Sequence, residues 1–243
     1  DTNELALPFV VLSKQFQPRE ERDGIRASAD GKADERTQRN WALLGKVPEL
    51  FKTLVMFGAS AGWLAAHRLS RIRRPSVGKW LDAERFVADV LRGVLGFVRG
   101  ADSPQIVLTI DGTLRAPRDV ASPVRDVDGR IHALAERVTA LRDRLPAPEI
   151  VSEWAAIGEG WESILGKRLE EIDEALTSEK LAVRIGGCAK LDDLAKLLRS
   201  GTPEDALTWL NDLLASVPND VLPKFASTHA VLPNQRDELR KEV

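Results

Sequence analysis

The sequence predicts a mainly α protein: a multi-helix assembly with an antiparallel helical hairpin and one or two small β-hairpins. Apolar residues recur at helical spacing through most of the chain after Trp41. Two such series, in 131–145 and 150–176, are separated only by Pro146-Ala147-Pro148, a connector short enough to fold the second helix back on the first. The β-favouring runs are brief, and the clearest is broken by Asp111-Gly112.

Taken in order, "ELALPFVVLSKQF" holds an apolar, β-branched run over 7–12 that predicts a buried strand. Residues 18–40 carry one large aliphatic side chain, Ile25, among charges, Gly and Ser, so a mobile linker is expected. From Trp41 a helical face follows, with Leu44, Val47, Phe51, Leu54 and Val55, and then the small-residue stretch "GASAGWLAAHRL". Residues 80–98 place Trp80, Leu81, Phe86, Val87, Val90, Leu91, Val94, Leu95 and Val98 on one wide stripe, which predicts a core helix.

"IVLTIDGTLRAP" reads as a β-hairpin, because Asp-Gly supplies the positive φ of a tight turn. "DVDGR", 126–130, has the beginning of a calcium loop but Arg130 at its fifth position and no closing acid, so calcium is rejected. Ile131, Leu134, Val138, Leu141 and Leu145 then recur at 3,4 spacing. Ile150, Trp154, Ile157, Trp161, Ile164, Leu165, Leu169, Ile172 and Leu176 make the longer second series, with Trp154 and Trp161 as core knobs. Gly158 and Gly160 weaken that helix by about 1 kcal/mol each relative to Ala and mark a bend. In "RSGTPEDALTWLNDLLASV", Gly201 stops one helix, Thr202 caps the next, Pro203 enters its first turn and Asp205 reciprocates the cap. The apolar face of that helix is expected at Leu207, Leu210, Leu213 and Leu214, with Trp209 beside it. These elements divide the chain into 1–40, a strand and linker; 41–125, a helical unit ending in a β-hairpin; and 126–243, a helical hairpin, a capped helix and a terminal β-turn unit.

Composition narrows the function classes. With 43% apolar and 30% charged residues and no apolar run near the length of a bilayer span, a soluble, cytoplasmic domain is expected and a membrane partner is not. A net charge of −2 gives no field that would make nucleic acid the favoured partner. The single cysteine, Cys188, sits in a Gly-Gly-Cys turn context and is read as a passive small residue. The chain starts without Met and without a signal peptide, as a piece of a longer protein would.

No catalytic motif is visible. His67, His132 and His229 lie far apart with no second ligand at metal spacing, so no metal or cofactor is expected. "IGEGW", 157–161, interrupts a helix instead of following a strand, unlike a dinucleotide fingerprint. Glu170, Glu171, Asp173 and Glu174 are assigned to a solvated helix flank. The charge cluster that stands out is "HRLSRIRRPSVGK": Arg68, Arg71, Arg73, Arg74 and Lys79 are the candidate contacts for an anion or an acidic partner. The competing reading is that these arginines only complement a helix C-terminus. "RRPS" adds a short phosphorylation-like pattern at Ser76.

"ALTWLNDLLASV" and "VLPNQRDELR" together resemble a recurrent arrangement in large sacsin-like proteins, carried here by Trp209, Leu210, Leu232, Pro233, Asn234, Gln235 and Leu239. In that family a glycine usually follows the motif where this chain has Asp237. Independently of the resemblance, Pro233 and Asn234 read as a turn device that returns Leu239 to the core. "VLTIDGTLR" has similar grammar, pairing Val107, Leu108, Leu114 and Arg115 with Val231, Leu232, Leu239 and Arg240. The resemblance implies a parent with an Hsp90-type ATPase module. The Glu and Asn of its catalytic helix, its Asp-x-Gly-x-Gly segment and its glycine-rich lid are absent from this chain, so any nucleotide site would lie outside it. The expected role is therefore non-catalytic: a helical segment of a chaperone-like or defence-related bacterial protein that couples domains or presents a surface to neighbouring domains or another protein. The alternatives are a stand-alone helical module binding an acidic partner or nucleic acid through the basic cluster, and an enzyme with a dispersed site.

Overall fold

A computed structural model describes residues 5–19, 24–28, 34–76, 80–123, 126, 129–168, 171, 175–199, 201–234 and 236–241. It is mainly α with small two-stranded β-hairpins, as the sequence predicts. Two compact units are interleaved along the chain. The first comprises Asp1–Leu108, Leu114–Asp119 and Ser152–Leu169, and the second Thr109–Thr113, Val120–Val151 and Glu170–Val243.

In the first unit, residues 7–12 do not form a strand. A β-branched run needs a partner strand to bond with, and none of the described residues pairs with it. Instead Phe9 stacks on Phe51 at 5.3 Å between ring centroids, while Val10 and Leu12 stay exposed. Of the expected linker, residues 20–23 and 29–33 lie outside the described residues, and its last part is helical. Asp34 caps α1 (Glu35–Leu44), its carboxylate accepting from Thr37 N–H at 2.7 Å. From that helix the fully buried Asn40 accepts from Gln17 N–H and donates to the carbonyls of Gln17 and Arg26. One amide thus satisfies backbone groups that would otherwise be stranded.

Helix α2 (Val47–Ser60) buries Val47, Phe51, Val55 and Gly58. The core helix of 83–98 is continuous but not uniform: α3 (Ala83–Phe86) passes through a π-helical turn at Val87–Leu91 into α4 (Arg92–Val98). Every residue of its apolar stripe is buried. After a 3-10 helix at Ala66–Ser70, the chain has no regular secondary structure over 71–76, and around Arg71 the Ile72 N–H donates to the Ser70 carbonyl at 2.9 Å. The hairpin β1 (Val107–Leu108) and β2 (Leu114–Arg115) pairs Val107 with Arg115 and Leu108 with Leu114, and Gly112 takes the positive φ (81°) that its turn requires. Helix α6 (Val151–Leu165) buries Trp154, Ile157, Trp161 and Ile164, and the two indoles meet edge-on at 5.6 Å.

In the second unit, α5 (Arg130–Arg137) starts after Gly129, at φ 69°, with the Asp126 carboxylate accepting from the N–H groups of Ile131 and His132. The "DVDGR" stretch is thus a helix-starting device. The series from Ile131 to Leu145 is buried as predicted but is not one helix. The Arg137 carbonyl accepts from Arg199 N–H, so it is lost to the helical ladder, and beyond Val138 the chain tightens into a 3-10 helix at Thr139–Arg144. The second series also stops early, since α6 ends at Leu165. Helix α6 belongs to the first unit and α5 to the second. Of the acids assigned to its flank, Glu171 is exposed, and Glu170, Asp173 and Glu174 fall outside the described residues.

Strand β3 (Ser122–Pro123) pairs in parallel with β4 (Ala175–Leu176). Helices α7 (Ser178–Ile185), α8 (Leu191–Leu197), α9 (Pro203–Ala215) and α10 (Leu222–Thr228) supply the rest of this core. Helix α9 begins as its punctuation predicts: Thr202 Oγ1 accepts from Asp205 N–H and donates to the Asp205 carboxylate at 2.7 Å. Its buried face is centred on Trp209, which donates to the Leu134 carbonyl at 2.9 Å, while Leu207 points outward. The terminal hairpin, β5 (Leu232–Pro233) with β6 (Leu239–Arg240), pairs Leu232 with Arg240 and Pro233 with Leu239. Compared with β1–β2 this register is shifted by one from the sequence alignment, so Val107 corresponds to Leu232. Asn234 Oδ1 accepts from the N–H groups of Arg236 and Glu238, and Leu239 returns to the core. The left-handed residue of the turn is Asp237, at φ 57°; Gln235 is outside the described residues.

Candidate functional site

The predicted basic cluster is divided by the fold. Arg68 Nε pairs with Glu153 of α6 at 2.9 Å, and Glu153 also meets the buried His67 Nε2 at 3.2 Å. Burial raises the Glu153 carboxyl, but the hydrogen bonds from His67 and Arg68, with the Arg68 charge, outweigh it and hold it below its ordinary value. Arg74 is ion-paired with Glu84. These two arginines serve the fold. Arg71 and Arg73 are exposed and have no ion-pair partner among the described residues. Lys79 lies outside the described residues.

What holds Arg71 and Arg73 is the segment over 70–74 that carries them, laid across α6. Trp161 Nε1–H donates to the Ser70 carbonyl at 3.0 Å, and Arg74 N–H donates to Ser163 Oγ at 3.0 Å. Between these anchors Ile72 is fully buried, and its carbonyl passes so close to Gly160 that a Cβ there would lie 2.7 Å away. Gly160 therefore marks a crossing point, where only hydrogen leaves room for a second backbone. On either side of Ile72, Arg71 and Arg73 are exposed, and the Cβ of Arg73 passes over Gly160.

Next to this segment in the chain is an apolar feature that pattern reading passed over. Leu64 is fully exposed, and Trp63, Phe57 and Leu114 are each about half exposed, at 45%, 59% and 51%. Phe57 and Trp63 meet edge-on at 5.8 Å, and Trp63 lies over Gly58, where a Cβ would approach its ring to 2.8 Å. Trp63, Leu64, Ala66, Ile106, Leu108 and Leu114 line a cavity of about 240 Å³. Its walls come from the end of α2, the turn before the 3-10 helix and the β1–β2 hairpin. The signal available in the sequence was Trp63-Leu64 directly after Gly62: a large apolar pair just beyond a helix end has no face of that helix on which to hide.

Elsewhere the chemistry is dispersed. His132 Nε2 lies 3.2 Å from the Pro146 carbonyl, and His229 packs on Phe225 at 4.9 Å. Among the described residues no group of three or more His, Cys, Asp or Glu is placed to hold a metal ion. Cys188 is buried; burial and then the nearby Asp193 push its thiol up. The second unit has an open groove of about 530 Å³ between α7 and α10, lined by Lys180, Val183, Val221, Lys224, Phe225 and His229 among others. Among the described residues no helix is long and apolar enough to cross a membrane. The chain matches no family model, no curated protein and no solved structure.

Proposed function

We propose that this chain is a non-catalytic, partner-presenting helical segment, of the coupling type implied by the resemblance to sacsin-like proteins. The observation that carries this reading is the exposed apolar surface of Phe57, Trp63, Leu64 and Leu114 around its cavity. Large apolar side chains clustered on a surface are costly to leave in water and mark interaction sites. The surface is also well supported: a 3-10 helix tied to α6 through Glu153, and a hairpin closed by Gly112, fix its walls.

The test is a photo-crosslinking amino acid placed at Leu64 in the full-length parent protein in its source cells, with a second at Lys196 as an exposed control. A discrete adduct from position 64 and none from 196, in cis to another domain or in trans to another protein, is the expected result. Absence of any adduct from position 64 overturns the reading. The coupling role within a sacsin-like parent has its own check, the reading frame upstream of Asp1. A helix with Glu-x-x-x-Asn and a following Asp-x-Gly-x-Gly is expected there, and a frame without them removes that part.

A further inference from the structure

We infer that the surface formed by the Trp63–Leu64 cavity and the Arg71–Arg73 segment is a docking site for an acidic peptide segment carrying an apolar anchor. The inference rests on the partner-presenting reading above and specifies its chemistry. Its basis is the pairing of charges. Of the four described arginines in the cluster, Arg68 and Arg74 are answered by Glu153 and Glu84, while Arg71 and Arg73 have no ion-pair partner among the described residues. Both unanswered guanidiniums project from a backbone pinned on either side by Trp161 and Ser163, so little side-chain-bearing backbone has to be ordered on binding. A guanidinium held in this way presents a planar fork of donors suited to carboxylates.

The apolar cavity precedes this segment in the chain. Leu64 and Arg71 are seven residues apart with the 3-10 helix Ala66–Ser70 between them, so their Cα atoms are separated by at most about 20 Å. The 3-10 helix that joins them packs against β1, which carries Leu108 into the cavity wall. A cavity of about 240 Å³ takes a single Leu- or Phe-sized side chain. An occupant that satisfies both features has one large apolar residue and carboxylates a few residues away.

Nucleic acid fits less well. Two phosphate contacts would give a salt slope of only about −2, whereas duplex binders use about 6–10 such contacts. The net charge of −2 supplies no wider attractive field.

The experiment uses the full 243-residue chain and fluorescence anisotropy with defined probes. One probe is a labelled peptide with Asp-Glu pairs flanking a central Leu-Phe. The others are the same peptide with its acids replaced by Lys, the same peptide with Leu-Phe replaced by Ser-Ser, and a labelled single-stranded oligothymidine. The acidic anchored peptide is expected to bind saturably, and binding weakens about tenfold in R71A/R73A and about tenfold in L64S, each equal to one decade of Kd. R71E/R73E should instead accept the Lys-substituted peptide. All of these side chains are exposed, and unchanged circular dichroism and melting confirm that each variant folds. No saturable binding of the acidic peptide, or binding indifferent to R71A/R73A, overturns the inference; tighter binding of the oligothymidine overturns it in favour of nucleic acid. If the crosslink at Leu64 forms while the peptides fail, the surface is a docking site of different chemistry. If neither works, both readings fall.

Discussion

Replacing Gly160 by alanine tests the crossing of the 70–74 segment over α6. In an isolated helix the change would stabilise by about 1 kcal/mol, because glycine is the poorer helix former. Here the added Cβ would sit 2.7 Å from the Ile72 carbonyl oxygen and 3.4 Å from Arg73 Cβ. The obstacle is backbone, so relief requires the segment to lift. Lifting breaks the Trp161–Ser70 and Arg74–Ser163 hydrogen bonds, each contributing about 1 kcal/mol, and an indole N–H left buried without a partner costs about 1–3 kcal/mol. After the propensity gain is subtracted, a net loss of about 2–4 kcal/mol is expected. Gly96→Ala is the control: Gly96 is exposed inside α4, and a Cβ added there would meet nothing within 4 Å, so the same substitution should stabilise by up to about 1 kcal/mol. Urea denaturation followed by tryptophan fluorescence reads both, and a melt should show about 2–4 °C per kcal/mol for a chain of 243 residues. If Gly160→Ala stabilises as Gly96→Ala does, the close approach of the two backbones does not exist.

The remaining predictions concern single groups. Glu153 has a depressed folded-state pKa, so its contribution to stability is present above the ordinary carboxyl value of 4.5 and is lost as pH falls through the lower folded value. Glu153→Gln should therefore flatten the acid side of a stability–pH curve; an acid limb as steep as the parent's counts against the His67–Glu153–Arg68 arrangement. Asp237 sits at φ 57°, so Asp237→Gly should be tolerated or stabilise by up to about 1 kcal/mol, whereas Asp237→Val should destabilise, as melting would show. Cys188, buried and with its thiol pushed up, should react with a maleimide far more slowly in the folded protein than in urea, and equal rates would contradict its burial.

Burial was more legible in the sequence than backbone path. The stripe from Trp80 to Val98 and the series from Ile131 to Leu145 are buried, because apolar spacing reports which side chains must leave water. It does not report how the backbone bends to place them. A π turn inside 83–98 and the switch to a 3-10 helix after Val138 leave the same residues inside, and the second depends on Arg199, sixty-two positions from Arg137. The run at 7–12 misled for a related reason: strand propensity expresses itself only when another strand completes its hydrogen bonds. The cap at Thr202 was readable because its partners lie within one helical turn. At the basic cluster the chain showed the charges but not their partners. Glu153 is distant in sequence, and that distance hid the difference between Arg68, held by the fold, and Arg71, left to solvent.

The two units are threaded through one another in chain order, since α6 of the first follows α5 of the second. Such a chain has no single bond whose cleavage would release either unit whole. A fragment ending before Ser152 lacks the helix on which Ser70 and Arg74 are seated, although it contains both residues. During synthesis the first unit must therefore wait with the place of α6 unfilled while the Val120–Val151 part of the second emerges, which makes its completion a later event and gives long-range loop closure a direct part in its folding rate.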